Sequence, residues 1–315
     1  MKAKMANKVL LEGVLYEHDL TIKESGPNSK NPGTEFISGT IDIATDDAML
    51  NIVQVHYTYV TATTAKGGAN RTFNVLKGII DGTYGTYMKN GADNAVKVKA
   101  DTVIGLNDFP VERNGKEEMV SVKRNEGGFL SVIDVLNENE AQRNFFEVDI
   151  IINNVRRVEY NEEKEIPEHV IVKGAVFDFR KALLPIELTA ENEGAMDYFE
   201  NLGATEKSPV FTKVWGRQKS QTVVRKIVKE SAFGEDSVRE VKNVNKAFVI
   251  TGAEPEPYLW DDESSITVAE LNEAISNREI YLASVKQRND EWKAAKANAT
   301  STATPNQVKQ GDFSF

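Results

Sequence analysis

"LNIVQVHYTYVTATTAKGGANRTFNVLKGIIDG", residues 50–82, changes its period halfway along. In its first part Val53, Val55, Tyr57 and Tyr59 alternate with Gln54, His56 and Thr58. That two-residue period belongs to a strand with one buried face. In its last part Phe73, Leu76, Ile79 and Ile80 recur at helical spacing, and Gly82 stands just past them as a helix stop. A basic, glycine-containing loop joins the two. What precedes and follows this strand–loop–helix unit decides the fold.

Upstream, "VLLEGVLYEHDLTIKE" (9–24) and "EFISGTIDIAT" (35–45) read as strands separated by the turn-rich "SGPNSKNPGT". "TDDAM" (45–49) then supplies a short polar hairpin connection into residues 50–60. Downstream, "NAVKVKADTVIG" (94–105) and "EEMVSVKRNEGGFLSVIDV" (117–135) are two more strand candidates. Three strands, a helix and two strands is the element order of an OB-fold, a small five-stranded barrel.

"NFFEVDIIINNVRRVEY" (144–160) is a long strand leading out of this unit, and the charged bend "NEEKEIPE" (161–168) is the expected boundary. Beyond it, "HVIVKGAVFDFRKALLPIELTA" (169–190) reads as a strand pair and "NEGAMDYFENLG" (192–203) as a short helix ended by Gly203. "VIVKGAVFDF" (170–179) has the texture of "VLLEGVLYEH" (9–18), a hint of two related β-units. Near the end, Thr267-x-x-Glu270 forms a capping box, with Ile266 and Leu271 placed as its hydrophobic staple. Val268, Leu271, Ile275, Leu282, Val285 and Trp292 follow as a stripe expected to be buried. The last residues are poor in apolar side chains and are expected to be disordered. The fold class is therefore mainly β (a β-rich α+β), with one or two OB-like barrels, a long C-terminal helix and a tail. The expected division is 1–160, an OB-like domain; 161–295, a second β-rich domain carrying the helix; and 296–315, the tail.

The 315 residues carry a formal charge of −10, with 40% hydrophobic and 27% charged residues, a soluble globular composition. No cysteine is present, which excludes disulfides, thiolate nucleophiles and Cys-ligated zinc. The three histidines, His18, His56 and His169, lack metal-ligand spacing. No run is apolar enough for a secretion signal or a membrane span, so the expected setting is cytoplasmic. Asp261, Asp262 and Glu263 are consecutive acids that project apart on any regular backbone, and they precede a helix start, where negative charge is favoured anyway. No triad or paired-carboxylate constellation stands out. The expectation is a non-enzyme without metal or cofactor.

Against that acidity, "VFTKVWGRQKSQTVVRKIVK" (210–229) contains no acid. Read as a strand, Val210, Thr212 and Val214 face one way, and Phe211, Lys213, Trp215, Arg217 and Lys219 the other. The β-branched face is the natural core face. The opposite face interleaves two aromatics with three cations, the combination that holds single strands by base stacking and phosphate contact. Arg225 and Lys226 extend the track. Equally, the two rings are core residues if the sheet is covered on both faces, with the basic stems passing alongside them. Lys66 and Arg71, flanking Gly67 and Gly68, form a second basic patch that does not match a P-loop.

With these features the chain resembles the OB-fold single-stranded DNA-binding proteins of bacteriophage replication modules. The resemblance rests on the element order of residues 8–135, the strand "VFTKVWGRQK" and the polar tail ending in Asp312, Phe313 and Phe315. It implies sequence-tolerant binding of single-stranded DNA in replication or recombination, in a host cytoplasm. It also implies recruitment of replication or recombination proteins by the tail. The run of acids and the proline usual near that tail's last phenylalanine are missing here. A β-rich capsid or tail component of a phage, without nucleic-acid binding, is the competing class.

Overall fold

The computed structural model describes residues 5–27, 29–161, 166–229, 237–260 and 265–301, with the side chains of 221–245 and 295–301 excepted. Asp261, Asp262, Glu263, Asp312, Phe313 and Phe315 lie outside the described residues.

The chain is mostly β-sheet. β1 (Asn7–His18) turns a corner at Asp19–Leu20 into β2 (Thr21–Glu24), so one predicted strand becomes two. β3 (Glu35–Ala44) and β4 (Ile52–Thr61) form a hairpin, followed by α1 (Arg71–Ile80), a short α2 (Tyr87–Asn90), β5 (Lys97–Arg113) and β6 (Lys116–Ile133). β1 pairs with β3, β3 with β4, β4 with β6, β6 with β5, and β5 again with β1. The ring closes on itself, and its one parallel pair, Val55↔Asn125 and His56↔Glu126, joins β4 to β6. Five strands closed in this order, with a helix after the third, make an OB barrel.

The same circuit is then built again. β7 (Asn144–Val158), β8 (His169–Phe177), β9 (Leu183–Ala190), α3 (Glu193–Asn201), β10 (Val210–Lys229) and β11 (Ser237–Ala253) follow in chain order. β7 pairs with β8, β8 with β9, β9 in parallel with β11, β11 with β10, and β10 with β7. The two rings share one eleven-stranded sheet because β1 and β7 run antiparallel from Asn7↔Val148 to Leu11↔Asn144. By topology β7 is the counterpart of β1 and β8 that of β3. The textual likeness of residues 9–18 to 170–179 therefore joins non-equivalent strands.

The two helices after the third strands start on asparagine N-caps. Asn70 Oδ1 accepts from Thr72 N at 3.1 Å, and Asn192 Oδ1 accepts from Ala195 N at 2.8 Å. One apolar core runs through both rings, with Leu11, Ile41, Val55 and Leu76 in the first and Phe146, Ile152, Leu188 and Phe199 in the second. In each ring the fourth and fifth strands outgrow the barrel as a ribbon. The β5–β6 ribbon turns at Asn114–Gly115, both at positive φ (52° and 72°), the conformation an Asn-Gly hairpin supplies.

α4 (Val268–Ser301) begins with the predicted capping box: Thr267 N donates to Glu270 Oε2 at 2.9 Å, and Glu270 N to Thr267 Oγ1 at 3.2 Å. Its packing departs from the expected stripe. Leu271, Ala274 and Arg278 face the body, whereas Val268, Ile275 and Trp292 are exposed. The physical reason is that the helix leans on the polar β5–β6 ribbon. Arg278 is buried and grips Asp108 with two hydrogen bonds of 2.7 and 2.6 Å, and Lys293 reaches Glu117 at 2.8 Å. Among the described residues no helix is long and apolar enough to cross a membrane.

Lys123 of β6 meets the second ring. Its ammonium donates to the Glu187 carbonyl at 2.6 Å and lies 4.5 Å from the centre of the Phe248 ring. Burial pushes its pKa down to about 8 from the ordinary 10.5. The folded state thus holds fewer protons than the unfolded chain between those values, and stability rises with pH across that window. We expect the melting temperature of wild type to gain on that of Lys123→Met as pH rises from 8 to 10. Parallel thermal melts across this range check it; a constant difference contradicts it.

Candidate nucleic-acid interface

In β10 the predicted two faces are present. Thr212, Val214, Gly216 and Gln218 are buried, while Lys213, Trp215, Arg217 and Lys219 face outward, half-exposed or exposed. Phe211 departs from that reading. It shares the outward face, but the chain covers it: its ring packs at 5.0 Å from Tyr258 and 6.0 Å from Trp260, beside Ile151, Ile266 and Ala274. It is 2% exposed and offers no platform. The segment after β11 and the start of α4 cover it, both distant in sequence.

Trp215 is half-exposed and lies on Gly252 of the neighbouring strand. A Cβ added at Gly252 would stand 2.4 Å from the indole nitrogen. One ring face rests on glycine backbone. The cations around it differ in state. Lys213 lies 3.6 Å from Glu147, and Lys219 is paired with Glu191. Among the described residues Arg217 has no ion-pair partner. Arg217 and Lys219 open on a groove of about 860 Å³ whose other walls carry Asp46, Asn51, Glu138 and Glu140. The acids make this groove mixed in charge rather than basic. Arg225 and Lys226 continue β10, opposite Val241 and Glu240; their side chains are not among those described.

Four buried or half-buried amides, Gln218 on this strand, Asn144 on β7, and Asn51 and Asn125 in the first ring, tie the strand in place, a feature the sequence reading missed. Asn144 accepts from Gln218 N at 3.0 Å and donates to its carbonyl at 2.7 Å. Gln218 and Asn125 exchange side-chain amide bonds of 3.0 and 2.9 Å. Asn51 donates to the Gln218 carbonyl at 3.1 Å and accepts from Ser220 N at 2.7 Å. Asparagine and glutamine so far apart in sequence leave no periodic signal. Their common trace is only that polar residues stand where strands should be apolar.

Asn51 immediately precedes β4, so the Arg217–Lys219 stretch of β10 abuts the start of that strand, with Trp215 two residues before Arg217. Lys66 and Arg71 lie just past its other end, in the loop stapled by Thr64 N to Gly68 O at 2.8 Å and at the first residue of α1. Both are exposed and have no ion-pair partner among the described residues. β4 has ten residues, so the two basic patches are about 30 Å apart at ~3.3 Å per residue. They are two ends of one strand, not one cluster.

Between them lie side chains that sequence alone did not single out. Tyr59 was expected on the buried face with Val53, Val55 and Tyr57. The pairing jumps from Gly39↔Tyr57 to Ile37↔Val60, so β4 carries an extra residue. That bulge turns Tyr59 outward, 48% exposed. Its ring sits 4.5 Å from that of Phe36, and its hydroxyl 3.1 Å from Ser25 Oγ. Lys23, paired in register with Phe36, is exposed beside them. Farther along, His56 is held below its ordinary pKa by burial and by the charges of Arg124 and Lys246. Arg124 itself bonds Glu126 at 2.5 Å. Burial raises the Asp42 pKa, against a 3.0 Å hydrogen bond from Gln54. The outer surface of β4 thus runs from an aromatic pair with cations to an indole with cations.

Among solved structures, a deletion mutant of the single-stranded DNA-binding protein from Thermus aquaticus is similar at a TM-score of 0.44 and 10% identity, over 82% of this chain and 97% of that one. The wild-type form of the same protein gives 0.42 and 11%, over 80% and 93%. No curated protein matches the chain in sequence. The family model YorF matches residues 6–288, which span both rings and most of α4, and the chain belongs to the YorF family.

Proposed function

We propose that this protein binds single-stranded nucleic acid, DNA foremost, along the outer face of β4, without altering it chemically. The observation that carries the reading is the pair of aromatic–cationic patches at the two ends of that strand. At one end are Phe36, Tyr59, Lys23, Lys66 and Arg71; at the other are Trp215 and Arg217. Exposed rings offer faces to unstacked bases, and cations beside them meet phosphates. A path of about 30 Å suits the ~4–16 nucleotides that one OB fold accommodates. The second ring contributes its β10 strand at the far end, and the two rings act as two units of one binder, divided before β7 rather than at residues 161–168.

Stacking does not read base edges, so binding is sequence-tolerant, and duplex, whose bases are already stacked, binds more weakly. Such a protein serves replication or recombination by covering exposed strands. Asp312, Phe313 and Phe315 remain the proposed handle for protein partners, and the cytoplasm the proposed setting.

Substitution separates the contributions. Tyr59→Ala and Trp215→Ala should each weaken oligo-dT binding by ~1–3 kcal/mol. Arg217→Ala should instead reduce the slope of log affinity against log salt by about 0.7. If both aromatic variants keep wild-type affinity while folded by circular dichroism, the path does not run over β4.

A further inference from the structure

The β8–β9 turn carries the most exposed large apolar side chain among the described residues, Phe179, at 86%. A single exposed phenylalanine is ordinary on a protein surface. This one is held in place. Asp178 Oδ1 accepts from Arg180 N and from Ala182 N, both at 2.8 Å. Asp178 N donates to Ala182 O, and Lys181 N to Asp178 O, both at 3.0 Å. Lys181 takes a positive φ of 62°, which closes the turn. On either side Phe177 and Leu183 are buried under the start of α4, so the turn stands on fixed foundations. The tip is preorganised.

Its chemistry is that of the β4 path in miniature. The Arg180 guanidinium lies 4.9 Å from the centre of the Phe179 ring, covering one face and leaving the other open. Neither Arg180 nor Lys181 has an ion-pair partner among the described residues. In the equivalent β3–β4 turn of the first ring the tip instead carries the acids Asp46 and Asp47. The two rings therefore present opposite charge at matching turns.

We propose that the Phe179–Arg180–Lys181 tip is a separate contact for the same single strand, with a base stacked on the open ring face and a phosphate on the two cations. This rests on the single-strand reading above. A lipid surface is the weaker fit, because one ring and two cations supply less than even the marginal anchoring of a single acyl chain.

The test uses the full chain and fluorescence-anisotropy titrations with oligo-dT of about 10 and about 40 nucleotides, within and beyond the ~4–16 nucleotides of one OB fold. Phe179→Ala should weaken the long oligomer about 5- to 150-fold, the equivalent of one stacked base, and leave the short one unchanged. Phe179→Trp should restore affinity, with the new indole quenched on binding. The double variant Arg180→Ala/Lys181→Ala should flatten the salt slope for the long oligomer by about 1.4. If wild type binds and Phe179→Ala binds the long oligomer equally well, the tip is not a contact and the β4 reading stands. If wild type binds neither oligomer, both fall. Loss of binding to phosphatidylserine vesicles in Phe179→Ala, with dT binding unchanged, also overturns the proposal.

Discussion

Gly216→Ala should cost about 3 kcal/mol of folding stability, the upper end of the usual overpacking range. A Cβ at Gly216 would stand 2.0 Å from the Val249 carbonyl oxygen, and 2.9 Å from both Ile250 Cα and the Phe146 ring. The nearest obstacle is backbone, which cannot swing aside as a side chain does. β10 is held at this point between β7 and β11, and the register slips between Trp215 and Gly216, where Thr251 is the extra residue. Relieving the clash means opening the second ring. Gly252→Ala is the control. Its Cβ meets the Trp215 ring, a side chain that can tilt. That variant should lose only ~1 kcal/mol, the scale of a small core adjustment, while its Trp fluorescence shifts. Denaturant melts of the two variants side by side check the pair, and equal stabilities contradict the account of the bulge.

Asn144→Ala should cost ~1–3 kcal/mol, the cost of one orphaned buried backbone group. The substitution removes the acceptor for Gln218 N and one of two donors to its carbonyl, in a site where both residues are buried. Asn51 still serves the carbonyl, so the N–H is the group left alone. Because the amides act as one network, Asn125→Ala and Asn144→Ala together should cost less than their sum. Hydrogen exchange should show faster opening at Gln218–Ser220 in Asn144→Ala. An Asn144→Ala protein that melts with wild type would mean that the amides are passengers.

How much of this was legible beforehand follows from the range of the interactions. Local signals read well. The period change in residues 50–82 marks β4 and α1, the Thr267–Glu270 box starts α4, and the element order of residues 8–135 is that of the closed ring. Contacts between distant residues were invisible. Alternation places Tyr59 on one face with Val53, Val55 and Tyr57 because it assumes an uninterrupted strand, and the bulge opposite Ser38 breaks it. Whether Phe211 is platform or core stays open in the sequence, because nothing in residues 210–219 reveals that Tyr258 and Trp260 return to cover it. Lys213 and Lys219 looked free for the same reason; Glu147 and Glu191, which pair with them, belong to other segments. The Phe179 turn was legible only as part of a strand pair, since exposure at a hairpin tip has no sequence period.

The account's central claim is that the paired OB rings hold single strands. It is tested most directly by titrating the full-length protein into labelled oligo-dT, and into a duplex of the same length, at two salt concentrations. The account predicts saturable binding to dT that weakens steeply with salt, and weaker binding to duplex at both concentrations. No binding to dT at low salt, or equal affinity for the duplex, would contradict it.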